Sequence, residues 1–234
     1  MIVKLVFDHG GNHMPNTKYK THLYETKVLR ALRTLKHEPF GKIVVPCVFD
    51  GLRYKLILLT AECRHRKNLM HELGRWRKEN EEWFPAKFKI TTLRTTKWFK
   101  EKVIGAPDRL LFLIKVRNRY IGHVGLFRFD FRQKMCQIDN ILRGKPGYPG
   151  IMGNAILHMI DWGKKQLGLV AYTLRVASDN KRACRLYGRL GFVEYKRIPL
   201  IQIAGKDGLE WVDAPKGYTK KIKRYDMHMK RSSR

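Results

Sequence analysis

The stretch TLRVASDNKRACRLYGRLGFVEY, Thr173–Tyr195, decides the fold. It opens with an apolar, β-branched run that reads as a strand ending at Ala177. Ser178–Asn180 forms an Asx-type turn, and Asn180 stands where a helix N-cap is expected. A short helix, Lys181–Leu190, follows. Ala183, Leu186, Tyr187 and Leu190 recur at helical spacing and make its buried face, while Lys181, Arg182, Arg185 and Arg189 point outward. Gly191 stops the helix, and Phe192–Ile198 starts another strand. Strand, capped helix and strand in so short a span predict an α/β plan.

Immediately upstream, RGKPGYPGIMGNAILHMIDWGKKQLGL, Arg143–Leu169, has the complementary character. Gly147, Gly150 and Gly153 fall where a strand gives way to a helix that runs to about Leu167. Backbone N–H groups at such a junction turn outward and meet the positive end of the new helix, so a phosphate or pyrophosphate is the natural guest. The spacing is neither G-x-G-x-x-G nor a P-loop, which argues against a nucleoside triphosphate. Further back, three strands are predicted at Leu110–Val116, Tyr120–Phe131 and Lys134–Leu142, preceded by helices at Lys67–Asn80 and Leu93–Val103 and a strand from Arg53. Residues 1–50 differ: a short strand MIVKLVF, a glycine-rich turn, a helix carrying Leu23, Val28, Leu29, Leu32 and Leu35, and KIVVPCVF, another short strand demoted by Pro46. We therefore expect an N-terminal extension, 1–50, and one larger α/β domain, 51–234, with a mixed, mostly antiparallel sheet flanked by helices.

Composition narrows the function class. Of 234 residues, 49 are Lys or Arg and 20 are Asp or Glu, a formal net charge of +29. The excess runs through the whole chain and is densest from Lys216 to Arg234. Such a field attracts polyanions and speeds their encounter. The longest apolar runs are too short to cross a bilayer, and no secretory leader is evident. Cys47, Cys63, Cys136 and Cys184 lack CxxC spacing and the histidines lack metal-ligand spacing, so reduced thiols in a cytoplasmic protein with no metal are expected.

The string DN-K-RA-CRLYGRLGF resembles motif B of the GNAT superfamily of acyl-CoA-dependent N-acetyltransferases, in which an Asn opens the helix and an Ala, a Tyr and a final Gly-Phe recur. Arg143–Leu169 then corresponds to that family's motif A. NLMHELGRWRKENEEWF and KWFKEKV resemble the first helices of GNATs that acetylate amino-sugar nucleotides and ribosomal protein ends. The likeness spans about residues 53–230. It implies a GNAT fold, acetyl-CoA or another acyl-CoA as co-substrate, and pyrophosphate held by Gly150, Gly153 and the backbone donors of Ile151, Met152 and Asn154. The family's loop reads Arg/Gln-x-x-Gly-x-Gly/Ala, whereas anchoring here on Gly153 puts Tyr148 and Ile151 at the first and fourth positions. The strand before motif A splays from its neighbour in the family, so pantetheine pairs with backbone around Asp139–Arg143, including Ile141, Leu142 and Arg143. The resemblance also implies that Asn180, besides capping the helix, meets the cofactor, and that Tyr187 at the family's Tyr position is the general acid for the departing thiolate. Asp139 is the first candidate for the base, ahead of Glu62 and His123.

Trp76, Trp83, Phe84 and Trp98 cluster around the first two family helices, which cover the acceptor pocket in GNATs, and they alternate with arginines and lysines in a way that suits stacking on a base. Trp162 and Trp211 read as packing residues. The charge points to an amine on a nucleic acid, either a modified DNA base or RNA such as aminoacyl-tRNA. The helix resemblance points instead to a nucleotide-linked amino sugar. A reading of another class is a non-catalytic nucleic-acid-binding protein on the same scaffold.

Overall fold

The computed structural model describes residues 17–205 and 208–232; the strand expected at MIVKLVF lies outside them. Helix α1, Thr17–His37, is followed by the hairpin β1, Val44–Phe49, and β2, Leu52–Leu58. Helices α2, Lys67–Glu79, and α3, Thr92–Trp98, come next, and α3 runs on into a π-helical turn, Phe99–Ile104. The meander β3, Leu110–Val116, β4, Arg119–Asp130, and β5, Met135–Arg143, leads to α4, Ile151–Leu167, β6, Ala171–Ala177, and α5, Lys181–Arg189. Three strands close the chain: β7, Val193–Gly205, β8, Gly208–Asp213, and β9, Arg224–Ser232.

All nine strands of the described residues join one sheet in the order β1-β2-β3-β4-β5-β6-β9-β7-β8. Every pairing is antiparallel except β5 with β6, as the βα connection through α4 requires. The strand expected to end at Ile198 continues to Gly205. Its first part, Val193–Leu200, pairs with β9, and its second, Leu200–Gly205, pairs with β8. Pro199 lies at this handover, and its carbonyl accepts from Ala214 at 2.8 Å.

One face of the sheet is covered by α1, α4 and α5. Val28 and Leu32 of α1, Ile156 and Met159 of α4 and Leu56, Phe112 and Leu174 of the strands share that core. The α1 helix is tied to α4 by Tyr24, whose hydroxyl donates to the Leu167 carbonyl at 2.8 Å. The opposite face carries α2, α3 and the π-helical turn, where Trp76 and Phe99 pack on Leu111, Leu113 and Leu142. Pro46 sits exposed on the edge strand β1, where its missing donor costs no ladder bond. All four cysteines are free.

Candidate active site

The parallel pairing of β5 and β6 is short. It joins only Met135–Gln137 to Ala171–Thr173, and the strands then part. From Ile138 to Arg143 the β6-facing edge of β5 is therefore open, a V-shaped gap in the sheet at the level of Asp139–Arg143. The gap is the floor of a cavity of about 610 Å³. Ile138–Leu142 line one side, Val176, Ala177, Asn180, Ala183 and Tyr187 another, and Trp83, Phe84, Phe88 and Trp98 of the α2–α3 region form the roof. That roof is fastened to the far edge of the sheet: Lys87 donates its N–H to Leu209 at 3.0 Å, and Trp211 donates to Pro85 at 2.7 Å.

At the mouth of the gap the loop before α4 is wound left-handed, with φ of +89° at Gly147, +52° at Tyr148 and +83° at Gly150. Arg143 braces it, donating from Nε to the Lys145 carbonyl at 3.0 Å and from Nη2 to the Gly147 carbonyl at 2.6 Å. Burial and the nearby charge of Arg182 lower the pKa of Arg143, so two cations converge on this loop. Of the expected backbone donors, Ile151 bonds to Tyr148 at 3.3 Å and Asn154 to Gly150 at 3.1 Å. Met152 and Gly153 have no backbone partner among the described residues, as the first turn of a helix leaves its N–H groups. Asn154 uses its side chain elsewhere, accepting from the Tyr54 hydroxyl at 2.6 Å. The glycines also answer to packing: a Cβ at Gly150 would lie 2.6 Å from the Phe49 ring, and one at Gly153 would lie 3.0 Å from Leu186 of α5. Two free amides, a helix N-terminus and two guanidinium groups suit a pyrophosphate, and the open β5 edge suits an amide-bearing arm lying as an added strand.

Tyr187 stands apart from the other buried tyrosines. Tyr24, Tyr54 and Tyr172 each donate to a protein oxygen, at 2.8, 2.6 and 2.7 Å. Tyr187 is 6% exposed and lines the cavity, yet its hydroxyl has no partner among the described residues and is not among the atoms sealed from solvent. Burial, with Cys184 second, raises its pKa above the ordinary phenol value, so it keeps its proton. Asn180 caps α5, accepting from the Ala183 N–H at 3.1 Å, and also lines the cavity.

Asp139 is engaged. Its Oδ2 accepts from Arg109 at 3.1 Å and from the Asn140 side chain at 2.7 Å. Glu62 lies elsewhere, accepting from the Phe40 N–H at 2.9 Å and from Arg66 at 3.2 Å. His123 lines the cavity at 4% exposure. Its Nδ1 lies 2.6 Å from the Asn140 carbonyl. A carbonyl only accepts, so Nδ1 carries the proton. Burial lowers the pKa of His123 to about 4 against the weaker opposing effects of that hydrogen bond and of Asp139.

The aromatic positions divide. Trp83, Phe84 and Trp98 line the cavity. Trp76 does not: it is fully buried, and its ring lies where a Cβ on Gly144 would come within 2.0 Å. Trp162 is a packing residue, edge-on to Phe112 at 5.2 Å between centroids. Trp211, read from the sequence as packing, faces the cavity beneath the Arg224 guanidinium, 4.3 Å away. Arg77 over Phe84 at 3.7 Å and Arg109 over Phe127 at 3.5 Å repeat that arrangement. Among the described residues six arginines and three aspartates line the cavity, and several arginines are already paired: Arg175 to Asp226 at 2.6 Å through Nε, Arg224 to Asp179 at 2.6 Å. The sequence held no signal for Arg109, Arg175 or Arg224, which arrive from separate strands and a loop. The glycines flanking His123, by contrast, mark close backbone approach.

A sheet split between β5 and β6, beside a glycine-rich helix N-terminus, is the arrangement that the resemblance to acyl-CoA-dependent acyltransferases implies. The chain belongs to the GNAT acetyltransferase family, matching its domain over residues 55–193, more than half of its length. It is an N-acetyltransferase that uses acetyl-CoA. Among solved structures it is similar in fold to spermidine N-acetyltransferase from Vibrio cholerae in complex with CoA and spermine, at 17% identity and a TM-score of 0.57 over 76% of this chain and 95% of that one. It is also similar to the ribosomal alpha-N-protein acetyltransferase RimL in complex with coenzyme A, at 11% and 0.58 over 81% and 98%. A third is the microcin C7 self-immunity acetyltransferase MccE in complex with acetyl-CoA and AMP, at 16% and 0.56 over 77% and 92%. No curated protein matches the chain in sequence. No described helix is long and apolar enough to cross a membrane.

Proposed function

We propose that the enzyme acetylates an amine carried by a polyanion, with nucleic acid the class that the charge fits best. The observation that carries this is the pairing of a +29 chain with a cavity walled by arginines and aromatic rings. Trp83, Phe84 and Trp98 offer faces for a base. The arginines stacked on Phe84, Phe127 and Trp211 hold flat guanidinium planes at the rim of the same space.

When bound, acetyl-CoA supplies the thioester carbonyl that the amine attacks. The residues of the chain do the rest. Met152, Gly153, Arg143 and Arg182 hold the pyrophosphate, the open edge of β5 aligns the pantetheine arm, and Tyr187 delivers its proton to the departing sulfur. The burial that raises the phenol's pKa also raises that of a thiol in the same place, so donor and leaving group stay matched.

A second reading, a nucleotide-linked amino sugar as acceptor, draws support from the roof over the cavity, which confines the acceptor, and from the AMP held by MccE. The two separate in one experiment, in which the protein is incubated with labelled acetyl-CoA and a panel of single- and double-stranded DNA, RNA, aminoacyl-tRNA and amino-sugar nucleotides. Label on polymer is the expected result. Label confined to sugar nucleotides overturns the polyanion assignment in favour of the second reading.

A further inference from the structure

We propose that His123 is the catalytic base, taking the proton from the attacking amine through Nε2. The inference rests on the acetyl transfer performed by the family and not on the class of acceptor.

The argument begins with the backbone. Two steps along β4, from Gly125 to His123, match three along β5, from Asp139 to Leu142, so β5 carries one extra residue at this point. Asn140, with φ of +49°, lies within that bulge. β4 has glycine on both sides of the histidine, which lets β5 approach closely at Gly122 and β3 at Gly125. A Cβ at Gly122 would lie 2.3 Å from the Leu142 carbonyl, and one at Gly125 would lie 2.6 Å from the Leu110 carbonyl. The bulge brings the Asn140 carbonyl onto His123 Nδ1 at 2.6 Å, which fixes the tautomer and leaves the lone pair on Nε2. Nε2 has no partner among the described residues and is not among the atoms sealed from solvent, and the ring lines the cavity. His123 pairs across the sheet with Leu113 and Leu142, which pack under Trp76 on the α2–α3 side. The imidazole therefore opens toward the roofed part of the cavity, beside the stretch of β5 where the sheet splits.

The alternative carboxylate is otherwise occupied. Asp139 has Arg109 and the Asn140 side chain on one oxygen. The imidazole carries no such burden, and with its pKa held near 4 it remains an unprotonated acceptor wherever free amines exist. Such a weak base is sufficient because it meets a strong acid: an amine nitrogen that has begun to bond to the carbonyl carbon becomes cationic and sheds its proton readily. In balance, the nitrogen lone pair forms the N–C bond, the nitrogen's proton passes to His123 Nε2, and the C–S bond breaks with its electrons on sulfur. Sulfur takes the Tyr187 proton. Exchange with solvent water then returns the imidazolium proton and restores the phenol.

The test uses His123→Asn, whose side-chain amide nitrogen falls near the position of Nδ1 and can still donate to the Asn140 carbonyl, while the Nε2 atom is gone. CoA release from acetyl-CoA is followed with a thiol reagent, with glycinamide as the amine and with water alone. We expect turnover to fall about 10²-fold while the acetyl-CoA dissociation constant, measured by calorimetry, moves less than about threefold. In a parallel arm Asp139→Asn is followed by the same two readouts, and His123→Asn should show the larger loss of turnover. The proposal is overturned if a folded His123→Asn enzyme keeps near-parental turnover, or if Asp139→Asn alone abolishes it. Should glycinamide and water both prove poor acceptors for the parent, nitrogen-15 spectra of histidine-labelled protein decide. A lone pair on His123 Nε2 whose resonance shifts on adding acetyl-CoA supports the role, and a protonated Nε2 or an unresponsive resonance overturns it.

Discussion

At the residue scale, the unbonded hydroxyl sets Tyr187 apart from the other buried tyrosines. Tyr172 spends its hydroxyl on the Ile160 carbonyl, so Tyr172→Phe should lose about 1 kcal/mol of stability in urea unfolding with little effect on turnover. Tyr187→Phe should do the reverse, lowering turnover roughly 10²-fold with acetyl-CoA affinity and stability near parental. A stability loss with normal turnover would show that Tyr187 is a core residue. His123 adds a pH dependence that does not involve substrate. Its folded pKa of about 4 lies below its ordinary 6.5, so the unfolded chain binds the proton first as pH falls. The neutral histidine's contribution is complete above about pH 6.5 and is lost progressively down to about pH 4, on the order of 3 kcal/mol in all. Urea titrations of the parent and of His123→Asn at pH 7 and pH 5 should show a smaller loss in the variant. Equal losses would mean that the imidazole titrates normally.

At the element scale, the junction of β5 with the loop before α4 depends on one contact between a glycine and a ring. Gly144 lies against the ring of Trp76, and the tryptophan is fully buried. Gly144→Ala should therefore cost about 3 kcal/mol, at the upper end of ordinary overpacking, and should shift the loop that presents Met152 and Gly153. A double variant with Trp76→Phe should recover part of that loss, and the coupling between the two positions measures the clash. Additive effects would place the strain elsewhere. The roof over the cavity is held the same way, by contacts remote in sequence. Arg224 of β9 bonds to Asp179 in the turn before α5, reaches the Glu82 carbonyl at 3.2 Å and lies over Trp211 of β8.

At the scale of the whole molecule, the charge is the property to test. If +29 serves a long nucleic acid, binding releases counterions and the logarithm of affinity falls steeply with the logarithm of salt. With six or more phosphate contacts the loss is on the order of 10³-fold between about 50 and 200 mM salt. Charge reversal at Lys220, Lys221 and Lys223, all exposed ahead of β9, should weaken binding to all sequences alike, as phosphate contacts do. Deleting the C-terminal segment is a poorer test, because β9 lies between β6 and β7 in the sheet. Shallow salt dependence and no gel shift with DNA or RNA would remove the polymer from consideration and leave the confined nucleotide-linked acceptor.

By itself the sequence determined what local pattern controls. Apolar spacing and capping residues placed α4 and α5, the Asx turn at Ser178–Asn180 and the glycine-rich junction before Ile151, because helix periodicity, N-caps and left-handed turns are set within a few residues of chain. It also singled out Tyr187, by its place in a recognisable string. Only the tertiary structure decided which side chains meet. The insertion of β9 beside β6 brings Arg175 to Asp226 and sets Arg224 over Trp211. The packing of α2 on the sheet removes Trp76 from the cavity and leaves Trp83 and Trp98 in it. The bulge at Asn140 turns His123 from an ordinary strand histidine into one with a fixed tautomer facing the gap. Each of these depends on contacts between segments tens of residues apart, and strand order and bulge register come from how the whole sheet closes over its two cores, which no short window of sequence encodes.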